Sequence, residues 1–237
     1  MSESTKPSLL EQLREKSAAL RAHDVASRRP VEESLLDIDR RLWQAFRWLD
    51  EAIGHLEVIQ PAVAHKFELG TVLTLDRPQF ERGFVSFRRR ALMGMEVLDY
   101  VEMFYRLTGP KPFILRVNPA AAAGVEERLR ASTMEFQYQT EQDERKVTRY
   151  GLFHVQPTLT ASVRFAPDYA RRVVDVTLRN VDRFESVLLE FQPDRIDDAT
   201  LEDLVKFMLG DANGFLRRAP LALIKPRRSE PLPAAAT

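Results

Sequence analysis

Along residues 31–59, apolar side chains recur at alternating intervals of three and four: Val31, Leu35, Ile38, Leu42, Ala45, Leu49, Ala52, Leu56 and Ile59. That spacing draws one stripe along one side of an α-helix. Phe46 and Ile53 widen the stripe. Pro30 suits a first helical turn, where its missing N–H is not needed. Glu32, Glu33 and Asp37 favour the positive end of the helix, and Pro61 follows its last turn. The spacing therefore predicts a helix over 30–60, roughly 45 Å long at the α-helical rise. Its period is also that of a coiled-coil seam, so Leu35, Ile38, Leu42, Ala45, Leu49, Ala52, Leu56 and Ile59 are candidate self-association or partner contacts. Packing against the rest of the chain is the competing use of the same residues. Trp43 and Leu36 lie off the seam and call for a second packing surface.

Upstream, Ser8 and Glu11 form a capping-box pattern, followed by Leu10, Leu13, Ala18 and Leu20. A short helix over 8–22 is expected, ended by residues 26–30. Residues 8–62 thus read as a helical hairpin or coiled-coil arm.

After residue 65 the period changes to two. His65, Phe67, Leu69, Thr71, Leu73 and Leu75 alternate with mostly polar neighbours, as in a strand. Residues 84–90 and 95–107 are rich in β-formers. The second segment would also line a helix face through Leu98, Val101 and Tyr105, but Gly109-Pro110 closes it and strand is the better reading. A short apolar strand over 111–117 precedes Asn118-Pro119, which reads as an N-cap and first residue of an Ala-rich helix ending near 131. Residues 133–191 repeat short alternating runs separated by turns, the pattern of an antiparallel meander. Asp197-Asp198 opens a last helix with Leu201, Leu204, Val205, Met208 and Leu209 on one face and Gly210 as its stop.

The fold class is α+β: the N-terminal helical hairpin or coiled-coil arm (8–62), then an antiparallel sheet domain (66–216) with an internal helix and a closing C-terminal helix. Residues 217–237 read as a disordered basic, Pro- and Ala-rich tail.

Composition narrows the chemistry. The 237 residues include no cysteine, which removes disulfides, thiol nucleophiles and Cys-based metal sites. The four histidines stand at 23, 55, 65 and 154, with no metal-ligand spacing. No nucleophile elbow, phosphate-binding loop or dinucleotide fingerprint is present, so no catalytic, cofactor or metal residue is assigned. No apolar run is long enough to span a membrane, and the N-terminus carries no leader pattern; a cytoplasmic location is expected.

The formal net charge is zero, with 35 basic and 35 acidic residues, but it is unevenly spread. Residues 66–116 carry +3, 196–216 carry −4 and 217–237 carry +4. Arg88, Arg89 and Arg90, with Arg217, Arg218, Arg227 and Arg228 in the tail, are candidate phosphate contacts, and aromatic residues on the strands could stack bases. Three functions fit these observations. The first is a non-catalytic binding or assembly protein that self-associates or docks a protein partner through helix 30–60. The second is a nucleic-acid-binding module using the arginine-rich strands and tail. The third is a small-molecule or enzymatic pocket under the closing helix.

Overall fold

The computed structural model describes residues 9–219 and 222–224. A long helix α1 (Leu9–Ile59) leads to a small hairpin, β1 (Lys66–Leu69) and β2 (Leu73–Asp76). Two long strands follow, β3 (Gln79–Leu92) and β4 (Met95–Thr108), then β5 (Phe113–Val117) and helix α2 (Pro119–Ser132). The meander is β6 (Phe136–Gln142), β7 (Thr148–Val155), β8 (Thr158–Asp168), β9 (Val173–Arg179) and β10 (Ser186–Phe191). Helix α3 (Asp198–Leu209), a helical turn α4 (Phe215–Arg218) and strand β11 (Ala222–Ile224) complete the described chain. All strand ladders among these residues are antiparallel, so the chain is α+β, with an N-terminal helix followed by sheet.

The N-terminal helical hairpin is corrected. Backbone helix runs without interruption through residues 26–30, giving one helix of 51 residues. Pro30 lacks one i→i−4 hydrogen bond there, but the alanine-, arginine- and glutamate-rich flanks favour helix on both sides, and the local stop signals lose. Ser8 of the capping box lies outside the described residues.

The meander is divided between sheets. Strands β11-β10-β9-β8-β4-β3 form a six-stranded sheet, β5-β7-β6 a three-stranded one, and β1-β2 a separate pair. The chain leaves the large sheet after β4 and re-enters it at β8. The two passages lie side by side, joined by the Gly109 N–H donating to the Pro157 carbonyl at 2.6 Å. A Cβ on Gly109 would strike the end of the Leu75 side chain and come within 3.1 Å of Pro157 Cβ, so any larger residue at the crossing has to displace Leu75.

Alternation assigns the two faces of the large sheet. Val85, Met103, Val163, Leu178 and Val187 are cross-strand partners on one face, and α1 and α3 cover that face in one continuous core. Helix α2 instead lies on the three-stranded sheet, where Ala122, Val125 and Leu129 meet Phe153 and Val155 in a second, smaller core. The caps of α2 and α3 form as the sequence predicts. Asn118 Oδ1 accepts from Ala120 N, Asp197 Oδ1 accepts from Thr200 N, and Gly210 adopts a φ of 80° after the last turn of α3.

The β3–β4 hairpin turns at Met93-Gly94, both at positive φ (51° and 80°), which matches the twist of the flanking strands. A bulge follows. Arg89 pairs with Leu98 but Arg88 pairs with Tyr100, leaving Asp99 as the extra residue. The Leu98 backbone is held from outside the ladder: its N–H donates to Asp39 Oδ1 of α1 at 2.7 Å, and its carbonyl accepts from the Tyr169 hydroxyl at 2.8 Å.

Residues 217–218 belong to α4, and 222–224 pair with β10, which corrects the start of the expected tail. An apolar triplet between Pro220 and Pro226 reaches the unpaired edge of β10 and adds a strand there. The rest of the tail lies outside the described residues.

Candidate functional site

The candidate seam is largely consumed within the chain. Leu35, Ile38, Leu42, Ala45, Leu49 and Leu56 are buried in the main core. Ala52 is half-buried, and Ile59 is 68% exposed. Ile53 takes the place of Ala52 against the sheet, because a straight helix drifts relative to a strict heptad and 45-49-53 keeps one side down. Ile53 closes on Gly83, where an added Cβ would meet Ile53 Cδ1 at 3.2 Å and the Phe104 carbonyl at 2.8 Å. Trp43, off the seam, finds the second surface its position calls for. It packs with Phe46 and Phe87 at ring separations of 5.2 and 4.8 Å.

The outer half of α1 is different. Leu9, Leu10, Leu13 and Leu20 are 73, 59, 56 and 72% exposed. At 100° per residue, Leu9, Leu13 and Leu20 fall on the same side of the helix as Ile38, Leu42 and Leu49. Leu9, Leu13 and Leu20 therefore lie in line with residues that the core buries farther along α1, and are themselves exposed.

The strand arginines are neutralised locally. Arg88 and Arg90 flank Asp99 at 3.9 and 3.5 Å, and Arg89 lies 3.4 Å from Glu96. The bulge that displaces Asp99 is what sets it between two arginines. Arg218 is bound to Asp203 at 2.7 Å, holding that carboxyl below its usual range. No described side chain pairs with Arg217, and Arg227 and Arg228 lie outside the described residues.

The face of the large sheet away from the helices is open. Its rows follow from the register. Phe84, Phe104, Ser162, Arg179 and Ser186 form one row, and Ser86, Glu102, Arg164, Thr177 and Leu188 the next. Arg164 lies over the Tyr100 ring at 3.9 Å and within 4.0 Å of Glu102. At the far end Arg171 gathers Asp168, Asp175 and Glu190, which raises the Arg171 pKa, chiefly through its hydrogen bond to Asp168. This surface is thus charge-balanced over most of its area. At the β3–β4 end it opens into a cavity of about 330 Å³ lined by Arg82, Phe84, Phe104, Arg106 and Thr160.

Beneath the closing helix, Leu201, Leu204 and Met208 pack directly into the core. A wider cleft lies beside it, between α1 and the start of α3, lined by Arg41, Gln44, Asp197 and Asp198. His65 is structural: Nε2 lies 2.5 Å from the Phe207 carbonyl and ties the chain after α1 to α3. Among the described residues no cluster of metal-ligating side chains is present, and no helix is long and apolar enough to cross a membrane.

The rings on the strands are visible in the sequence, but the convergence of Phe104 with Arg82 and Arg106 is not, because it depends on the bulge. Counting back from the Met93-Gly94 turn without it would place Phe84 opposite Met103 and send Phe104 to the other face.

No protein-family model, curated protein or solved structure matches the chain.

Proposed function

We propose that the chain is a non-catalytic binding and assembly protein that self-associates through the outer half of α1. The observation that carries this is the exposed row Leu9, Leu13 and Leu20, in line with the residues that the core buries farther along the same helix. A helix standing in water gains little from propensity alone and draws most of its stability from packing an apolar face. The inner half of α1 has such packing within the chain, whereas Leu9, Leu13 and Leu20 are left exposed by the described residues.

A second copy of this chain is the occupant that fits. Leu9 and Lys16 take d-type positions and Leu13 and Leu20 a-type positions of one heptad frame. Two outer halves laid antiparallel about the midpoint between residues 14 and 15 set a over d in every layer. Leu9 then lies across from Leu20, Leu13 across from the aliphatic stem of Lys16, and Arg14 across from Glu15. The alternating charges Glu11, Arg14, Glu15 and Lys16 sum to zero, so the segment does not repel itself. The phosphate-binding reading draws less support, because Asp99, Glu96 and Asp203 already hold Arg88, Arg89, Arg90 and Arg218.

Light scattering of the full chain at micromolar concentration is expected to report a dimer. Leu13→Glu combined with Leu20→Glu is expected to give a monomer with an unchanged thermal transition of the sheet. A monomeric parent chain, or a double variant that stays dimeric, would refute the assignment.

A further inference from the structure

We propose that the cavity at the β3–β4 end of the open sheet face binds a small ligand combining a planar ring with an anionic group. The apolar part of the site is a pair of rings. Phe84 and Phe104 are register partners with centroids 5.1 Å apart and planes inclined by 25°. Phe84 is 58% exposed, so a ring face is offered to solvent rather than buried in a core. A flat ligand laid on it would extend the stack.

The anionic part follows from the arginines. Arg82 and Arg106 are register partners on the same face, one pair farther along the hairpin than the rings. The Arg82 side chain makes no hydrogen bond or ion pair among the described residues. Arg106 Nε lies 3.2 Å from Glu81 Oε2, yet it is buried and has no hydrogen-bond partner there. The Glu81 oxygen is instead engaged by Thr108 Oγ1 at 2.5 Å. Glu81 therefore balances one of the two guanidinium groups and leaves N–H donors unused. Arg179, two strands beyond Phe104 in the same row and without a carboxylate partner among the described residues, adds positive charge near the cavity without lining it. Guanidinium forks facing a ring pair suit a carboxylate or phosphate borne on an aromatic ring.

The surroundings limit the ligand's size. The cavity volume of about 330 Å³ is at the low end for small-molecule sites. Beyond the ring row stands Glu102, then Asp175 and Glu190 near Arg171, so a polyanion running along the sheet would leave the basic end and meet carboxylates. A compact ligand held at one end of the sheet satisfies both charge and shape.

The test uses the full chain and calorimetric titration with 2-naphthoate, its neutral analogue 2-naphthalenemethanol, inorganic phosphate and a short oligothymidylate. Saturable binding of naphthoate is expected, with the neutral analogue at least about tenfold weaker, the order of one lost charge-assisted hydrogen bond. Phosphate alone should bind far more weakly, for want of the ring. Arg82→Gln and Phe84→Ser both alter exposed side chains and should each weaken naphthoate about tenfold, whereas Arg195→Gln, far from the cavity, should not. Absence of saturable binding, or naphthoate affinity unchanged in both cavity variants, overturns the proposal. So does oligothymidylate binding more tightly than naphthoate with a steep salt dependence, which would make the face a nucleic-acid platform. None of these outcomes depends on the oligomeric state.

Discussion

The Tyr105 hydroxyl is fully buried and has no hydrogen-bond partner among the described residues, while the ring stacks on Phe80 at 6.0 Å. Burial, with a smaller contribution from Asp182, raises its pKa and keeps the phenol neutral. An unpartnered buried hydroxyl opposes folding, so Tyr105→Phe is expected to leave stability unchanged or raise it by up to about 1 kcal/mol in urea denaturation. Tyr169 is the contrasting case. Its hydroxyl donates to the Leu98 carbonyl, opposite the carboxylate of Asp39 on the Leu98 N–H. Asp39→Ala would strand a backbone donor at the bulge and should cost about 1–3 kcal/mol, and Tyr169→Phe about 1 kcal/mol. Asp39 sits in a helix rich in other carboxylates, and nothing in its neighbours marks it as the residue that reaches a strand some sixty positions away.

At the scale of elements, the features legible beforehand are those decided by a few adjacent residues. Asn118 and Asp197 start helices, and Gly210 ends one. Each acts through its own backbone geometry, so no distant partner is needed to see it. The outcome at Pro30 was not legible, because one missing hydrogen bond is small against favourable helix on either side. Register was not legible either. The bulge at Asp99 follows from contacts with α1 and Tyr169, and it decides that Phe84 and Phe104 share the open face. The caps and turns also have a signature in acid. Asp197 is held below its usual range by the Thr200 N–H, Asp143 by the Val147 N–H, and Asp168 by the Arg171 side chain. A carboxyl with a depressed folded-state pKa stabilises the fold above its unfolded value, and that contribution is lost as pH falls through the folded value. Melting temperature is therefore expected to hold from neutral pH down to about 5 and to fall below about 4, the ordinary carboxylate range. Asp197→Asn, which keeps a capping oxygen but cannot titrate, should make the decline shallower.

For the whole molecule, the sequence conveys the α+β class and the order of its elements, but not the division into sheets. Periodicity reports which side of a strand is buried and is silent on which neighbour buries it. Strands β7 and β8 have the same alternating texture and lie in different sheets because Gln156 and Pro157 interrupt the ladder between them. The same holds for the stripe on α1, whose period suits an intermolecular seam and a sheet-covering helix equally well. Its inner half proves to be the second, since the adjoining sheet presents Val85, Met103 and Val163 to it.

Among the described residues, the pair of passages at Gly109 and Pro157 separates two bodies of apolar contact, bridged by Phe113 and Phe184, which pack on both, and by the β1–β2 hairpin, which gives Phe67 and Leu75 to one and Leu69 and Leu73 to the other. Cooperativity follows the contacts that carry it, so the smaller body, α2 with β5, β6 and β7, can open while the larger one stays closed. Amide hydrogen exchange should then separate two tiers of protection: amides of β4, β8 and β9 exchanging only through global unfolding, and those of β6 and β7 through a lower-energy opening. A single tier across both sheets would mean that Phe113, Phe184 and the β1–β2 hairpin weld them into one unit. In the expected case, a chain built as one continuous antiparallel texture behaves as a stable base carrying a breathing lobe.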